Sequence, residues 1–550
     1  MLETGRLRTG LAAAALTALL ALPTPLRATG PPQVHALTGV RIVVAPGQVI
    51  DTGTVVLRDG VIEAAGTGVQ VPADAREWDR AGLTVYAGLI EPYLPRPWPE
   101  AAPTRGERDT GNPPQGGDEN PQVHPEREMA WYAFDAEGAA RLRRAGFTTA
   151  LVAPEPGILR GSSALLNLGD GDLSSNLLRP VVAQHASLRP GGRSGYPDSI
   201  MGAVALFRQT ILDARWYAAA SRAYQRNPAQ ERPAFNRSLE VLQPAIQGEQ
   251  LVIFESRDLL DTLRDATVAA ELGLKAAIVG SGQEYQRLEL VRQAGVPLLL
   301  PVNFPEAPQV GKEGEDDLTV SLAALRHWNA APDNPSQLLN AGVTVAFTSF
   351  RLSTPQDLFP RLATAEERGL TQDQALAALT TTPAALLGMS ERLGTVEKGK
   401  IANLVVVEGD LFVSAPKIRE VWIDGRRYEV KESKPPSVDP AGDWQLTIHA
   451  AGREFPLGLH IEGKVGAQTG TVTGRGDRVM PLISVEVSGS SVEVSYDGSP
   501  SGLPGIIQLR FKIEGDQASG TGESPRGSFT LDGRRTGTAP APGPTPQGGR

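Results

Sequence analysis

The 550-residue chain contains no cysteine and only six histidines, His35, His124, His185, His327, His449 and His460. The first absence excludes disulfides, thiolate metal sites, cysteine nucleophiles and lipid attachment through an N-terminal cysteine. Basic blocks are missing too. With 53 Lys and Arg against 62 Asp and Glu, net charge −9, no stretch offers the footprint that nucleic acid or an anionic membrane requires. What is present is a 41% hydrophobic chain, enough for sizeable cores, punctuated by 60 Gly and 45 Pro. Its length predicts roughly two to four domains.

Arg6 and Arg8 precede the apolar run Leu11–Leu22, which Pro23 and Pro25 break before Ala28. The run is too short to span a bilayer, and small residues follow it, so residues 1–28 read as a secretory signal peptide cleaved near Ala28. Its removal takes three arginines and Glu3, so −9 becomes −11. The expected location is secreted or periplasmic, with no transmembrane segment in the mature chain, and the lack of cysteine suits an oxidising compartment.

Residues 35–78 alternate apolar and polar side chains around glycine turns, with a hairpin at Asp59-Gly60. A similar β segment returns at 401–430, with a turn at Asp424-Gly425. Between the two, helices ending in Gly146, Gly273, Gly295 and Gly342 each hand over to a short apolar strand, as a glycine just past a helix end does before a buried parallel strand. That repetition predicts α/β architecture, a parallel barrel or a doubly wound sheet, and the long interval favours a barrel with insertions. Residues 96–128 are polar and rich in Pro and Gly, as in a long loop over one barrel end. Residues 433–442 read as a linker, 443–535 as an all-β sandwich or barrel, and 536–550 as a disordered tail.

Three stretches resemble the amidohydrolase superfamily, especially its imidazolonepropionase-like and dihydroorotase-like branches. They are Asp59–Glu63 with Ala81–Glu91, then Arg144–Thr149, then Ala375–Met389 with Leu393–Leu404. The resemblance implies a (β/α)8 TIM-like barrel over 81–390 and a split β-sandwich built from 29–80 and 391–432. It also implies metal-assisted hydrolysis of C–N bonds in linear or cyclic amides, in which zinc or another divalent ion activates water. Family ligands begin with His-x-His after Gly-Leu-Ile-Asp. Here those positions hold Tyr93 and Pro95, the fifth-strand position falls near Phe254, and the final aspartate position holds Phe350. The sixth-strand segment Ile278–Ser281 has no histidine, and the barrel segment holds only His124, His185 and His327. The expected metal site is therefore absent and no cofactor is expected, although a rebuilt site using His124 or His185 with Glu91 and Glu255 stays open.

Candidates for the barrel mouth are Glu91, Tyr93, Glu255, Arg257, Ser349 and Arg351. Glu91 and Tyr93 read as an acid/base pair or as a hydrogen-bonded ring filling the vacated space, Glu255 and Arg257 as an ion pair, and Phe254 and Phe350 as an apolar plug. His185 reads as a pocket-lining or a structural hydrogen-bonding residue, His327 as packed on Trp328, and Gly161–Ala164 resembles a family loop at the barrel mouth. Three functional readings are open. The first is a catalytically impaired binding or partner subunit, taking a small molecule or peptide and forming a homo-oligomer or a complex with an active relative. The second is a still-active hydrolase of non-peptide or dipeptide C–N bonds with a rebuilt or metal-free site. The third is ligand binding by the C-terminal β domain, whose candidate exposed aromatics are Trp444, Phe455 and Tyr496.

Overall fold

The computed structural model describes residues 34–97, 120–131, 136–190, 196–307, 320–430, 437–450, 453–463, 468–474, 478–498, 506–524 and 527–537. The proposed signal peptide, most of the 96–128 loop, the first part of the linker and nearly all of the tail fall outside them.

Alternation produces the first five strands: β1 (Val34–Ala45), β2 (Gln48–Arg58), β3 (Val61–Gly66), β4 (Arg76–Asp79) and β5 (Leu83–Ala87). The β2–β3 turn puts Asp59 at φ 49° and Gly60 at φ 83°, the left-handed pair of a tight hairpin. Gly88 then passes the chain into the barrel. A Cβ there would collide with Oγ1 and Cγ2 of Thr148, so only glycine permits this close crossing.

The next ten strands are β6 (Leu89–Pro97), β7 (Phe147–Glu155), β8 (Leu159–Ser162), β9 (Ala164–Asn167), β10 (Leu177–Arg179), β11 (Ala183–Ala186), β12 (Leu251–Glu255), β13 (Ala276–Val279), β14 (Leu298–Pro301) and β15 (Val345–Thr348). Strands β11 to β15 pair in parallel, and so do β6 and β7. All four helix-ending glycines adopt positive φ, between 55° and 82°. The parallel run is interrupted, however. Strand β8 pairs antiparallel with β11, and β9 antiparallel with β7 and β10, so the described residues form two sheets rather than one unbroken set of eight parallel strands. Gly157, at positive φ, lies in the turn before β8, and Gly161, also at positive φ, lies within it where the register against β11 shifts.

Strands β16 (Leu404–Glu408), β17 (Lys417–Ile423) and β18 (Arg426–Glu429) return to the first sheet through β16 against β5, with Leu404 opposite Ala87. The result is one hydrogen-bonded sheet of eight strands drawn from both flanks of the barrel. Its core holds Leu37, Ile42, Leu57, Val85, Leu404 and Trp422.

Eight further strands close on themselves: β19 (Gly442–Ala450), β20 (Arg453–Glu462), β21 (Thr469–Thr473), β22 (Val479–Ser488), β23 (Ser491–Asp497), β24 (Ile506–Glu514), β25 (Gln517–Ser524) and β26 (Gly527–Arg535). Trp444 and Tyr496, expected on the surface, fill this barrel's interior together with Phe511. Phe455 alone of the three is exposed. Inward alternation in a small closed barrel buries large side chains, because nothing else fills the lumen. Among the described residues no helix is long and apolar enough to cross a membrane.

Candidate functional site

A bulge decides which side chains of β6 enter the barrel. Between Glu91 and Leu94 the register against β7 slips, with Glu91 opposite Ala150 and Leu94 opposite Val152. The extra residue re-aims the strand, so Ile90 and Tyr93 pack in the inner cluster with Ile253, Val279 and Ala346. Glu91 is fully buried and its carboxylate bridges to the end of β15. It accepts hydrogen bonds from Ser349 N at 2.8 Å, Ser349 Oγ at 2.6 Å, Tyr93 N at 3.2 Å and the Thr348 hydroxyl. Burial pushes the Glu91 carboxyl above its ordinary range despite these donors. Glu91 and Tyr93 therefore form no acid/base pair; Glu91 meets the backbone of Tyr93, not its phenol.

The Tyr93 hydroxyl donates to Glu255 Oε2 at 2.7 Å, at the end of β12. Arg160 of β8 completes a three-member ring, with Nη1 2.7 Å from the same Glu255 oxygen and 3.1 Å from the Tyr93 hydroxyl. Arg160 is only 7% exposed. Burial opposes ionisation of Glu255, but Arg160, the Tyr93 hydroxyl and Arg351 outweigh it and hold its carboxyl below the usual value. Burial drives the Tyr93 phenol well up, with Arg160 opposing. The expected Glu255–Arg257 ion pair does not form. Alternation along β12 points Glu255 to the lumen, where Arg160 meets it first, while Arg257 lies beyond the strand and is exposed.

The same alternation corrects the expected plug. Phe254 faces outward and meets Phe207 of the Ile200–Arg226 helix edge-on, ring centres 5.4 Å apart. The inward residue at the fifth-strand position is Glu255. Phe350 does reach the mouth, edge-on to Tyr93 at 5.0 Å. Pro95 is half-buried and lines a cleft of about 290 Å³ with Phe350 and with Ile483 and Ser484 of β22. Ser349 is tied to Glu91. Arg351, at φ 68°, holds a left-handed backbone uncommon for its residue type and donates to Ser256 O at 2.6 Å and Gly280 O at 3.2 Å.

Two of the histidines depart from their expected contacts. His185 on β11 stacks on Tyr93 at 5.8 Å, is 1% exposed, and neither ring nitrogen has a hydrogen-bond partner among the described residues. Burial, then Arg160, pull its imidazole down to about 3, so the ring is neutral. His327 stacks on Tyr285 rather than Trp328, with Nδ1 3.0 Å from the Tyr285 hydroxyl, because adjacent helix residues do not share a face. His124 sits in the loop, 2.8 Å from Pro121 O, away from the ring. Among the described residues no group of three or more His, Cys, Asp or Glu is placed to hold a metal ion.

Arg160 was not singled out as a pocket residue by sequence reasoning, nor was Thr348; the only pointer was the Gly157–Ser163 turn that carries Arg160. A third unforeseen group lies behind β12. Asp265, on the Leu259–Glu271 helix, accepts from Ser256 Oγ at 2.7 Å, and burial pushes its carboxyl up to about 7. The folded state thus holds this proton more tightly than the unfolded chain. Its stabilisation is present near pH 4 and is lost as pH rises through 7, roughly 4 kcal/mol at most. Asp265→Asn is expected to flatten that slope and to exceed the native chain in stability above about pH 8. Urea unfolding of both proteins across pH checks it; parallel stability curves would contradict the assignment.

The model of the Amidohydrolase family matches residues 332–428. The amidohydrolase tasK of Hapsidospora irregularis is 36% identical over 96 residues, 17% of this chain and 10% of that protein. The chain thus spans about a tenth of that relative's length. An amidohydrolase structure from Thermotoga maritima covers 72% of this chain and 99% of its own at 18% identity and TM-score 0.58, a likeness of fold. A prolidase complexed with N-methylphosphonate-L-proline covers 72% of this chain and 100% of its own at 15% identity, with a TM-score of only 0.43. The matched stretch is the return from the last α/β helices into the flanking sheet, and around it the described residues form several sheets and a closed eight-stranded β-barrel. Residues 332–428 thus match the Amidohydrolase family, and the chain shares over most of its length the fold of an amidohydrolase structure.

Proposed function

We propose that this chain is an exported, catalytically impaired amidohydrolase that binds a small organic ligand at the barrel mouth without a metal. The carrying observation is the Tyr93–Glu255–Arg160 ring. A divalent cation needs several unprotonated N or O donors converging on one point. Here the family's first histidine position carries a phenol held protonated, and the second carries Pro95, which has no side-chain donor. Glu255 is committed to Arg160, whose fixed positive charge stands 2.7 Å from the oxygen a metal would share. His185 is one neutral imidazole, and a single one does not make a site. The residues present do not fit the group.

A metal-free hydrolase would need a free base or nucleophile facing the cleft. Glu91 is sealed by four donors and Glu255 by two, which disfavours that reading. The signal-like segment at 1–28 supports export to the periplasm or beyond. Elemental analysis of protein purified without chelators tests the reading, with zinc, manganese and iron expected far below one ion per chain. Stoichiometric metal together with turnover of dipeptides or cyclic amides would overturn it.

A further inference from the structure

A cleft of about 390 Å³ opens beside the ring, between the ends of β12, β13 and β14 and the His327 helix. Glu255, Arg257 and Arg351 line one side, Gln283 and Asn303 another, and Phe304, Pro305 and Ala331 give it an apolar wall. Among the described residues the Arg257 guanidinium and the Gln283 and Asn303 amides have no hydrogen-bond or ion-pair partner. Arg351 is pinned by two backbone carbonyls and stands 4.0 Å from Glu255 Oε1. The Arg257 and Arg351 charges act on one another across this space.

Charge decides the class of ligand. Glu255 is neutralised by Arg160, and Glu284 beneath the floor is buried and satisfied by Ser281 N, Ser281 Oγ, Gly282 N and Asn334 Nδ2. Three guanidinium groups thus face two carboxylates, leaving one positive charge uncompensated beside two free amides. Two like charges with nothing between them are a standing repulsion that an anion relieves. The planar fork of a free arginine matches a carboxylate in two parallel hydrogen bonds. One surplus charge suits a monoanion better than phosphate. The wall of Phe304, Pro305 and Ala331 needs an apolar body, and the volume is that of a small-ligand pocket.

We infer that the cleft binds a small organic monocarboxylate with an apolar body, its carboxylate held by Arg257 and Arg351 and its body against Phe304. The inference deepens the binding reading above, and it does not depend on whether the barrel also holds a metal. Calorimetric titration in metal-free buffer tests it with three probes: N-acetyl-L-leucine, its uncharged twin N-acetyl-L-leucinamide, and inorganic phosphate. The acid is expected to bind below about 1 mM and the amide at least roughly tenfold more weakly. Arg257→Ala, at an exposed position, is expected to weaken the acid at least roughly tenfold with an unchanged melting temperature, and Arg257→Lys to restore part of the loss. Equal binding of acid and amide, tighter binding of phosphate, an unaffected Arg257→Ala, or no saturation by the acid up to about 10 mM would each overturn it. Metal content then judges the metal-free reading separately, since carboxylate binding with metal present would sink only that reading.

Discussion

Replacing Glu91 with alanine should lower barrel stability by about 3–5 kcal/mol, as expected when several buried donors lose one shared acceptor. The carboxylate is 0% exposed and takes hydrogen bonds from both the β6 bulge and the end of β15. Among the described residues no backbone ladder joins those two strands, so Glu91, beside the Thr348 hydroxyl, is the main polar fastening across that seam. The Thr348 hydroxyl has Tyr93 O as an alternative acceptor, 3.2 Å away. The Tyr93 and Ser349 N–H groups have no other acceptor among the described residues. Glu91→Gln keeps an acceptor oxygen but turns an amide donor toward the serine, so it should cost about half as much. Thermal and urea unfolding with near-UV circular dichroism would measure both. A Glu91→Ala loss under about 1 kcal/mol would mean that the seam is held by packing alone.

Arg160→Met is the second large effect, again about 3–5 kcal/mol, because it strands the Glu255 carboxylate and the Tyr93 hydroxyl in a buried ring. Glu255 has a depressed pKa, so its stabilisation is present above the unfolded value near 4.5 and is lost as pH falls through its folded value. Without Arg160 that acid-side dependence should disappear. The double variant Arg160→Met with Glu255→Leu should recover most of the stability, since an apolar pair of similar bulk replaces a buried ion pair at little net cost. A double-mutant cycle gives the coupling, expected at about 2 kcal/mol or more. Additive single effects would mean that Arg160 and Glu255 do not act as a unit.

Local signals were legible in the sequence and distant pairings were not. The four helix-ending glycines announced the strands after them, because positive φ and the end of a helix are properties of a few neighbouring residues. The hairpins at Asp59-Gly60 and Asp424-Gly425 were legible for the same reason, and the latter pair has φ 51° and 73°. Of the six residues named for the mouth, Glu91 and Tyr93 lie within β6, Glu255 ends β12, and Arg257, Ser349 and Arg351 follow the ends of β12 and β15. Their partners were hidden. Glu255 meets Arg160, 95 residues away, and Glu91 meets Ser349 across 258. A single bulged residue in β6 also undid the two-apart rule, since an extra residue reverses the facing of every later side chain in the strand. The Ile200–Arg226 helix escaped notice because its core-facing residues stop at Ala214, leaving a polar second half with weak periodicity.

The pairing of β5 with β16 ties the two flanks of the chain together, and Tyr86 bonds Asp410 across 324 positions of sequence. During synthesis β5 therefore emerges with a bare edge that must wait for almost the whole barrel to be made. A strand edge left open that long is a template for wrong partners. Contacts this distant in sequence also form late and slowly. The flanking sheet should consequently be the last part of the main body to lock, and the one most in need of a chaperone during folding. The C-terminal barrel is built mostly from neighbouring hairpins, and its closing pair, β19 with β26, spans a far shorter stretch of sequence.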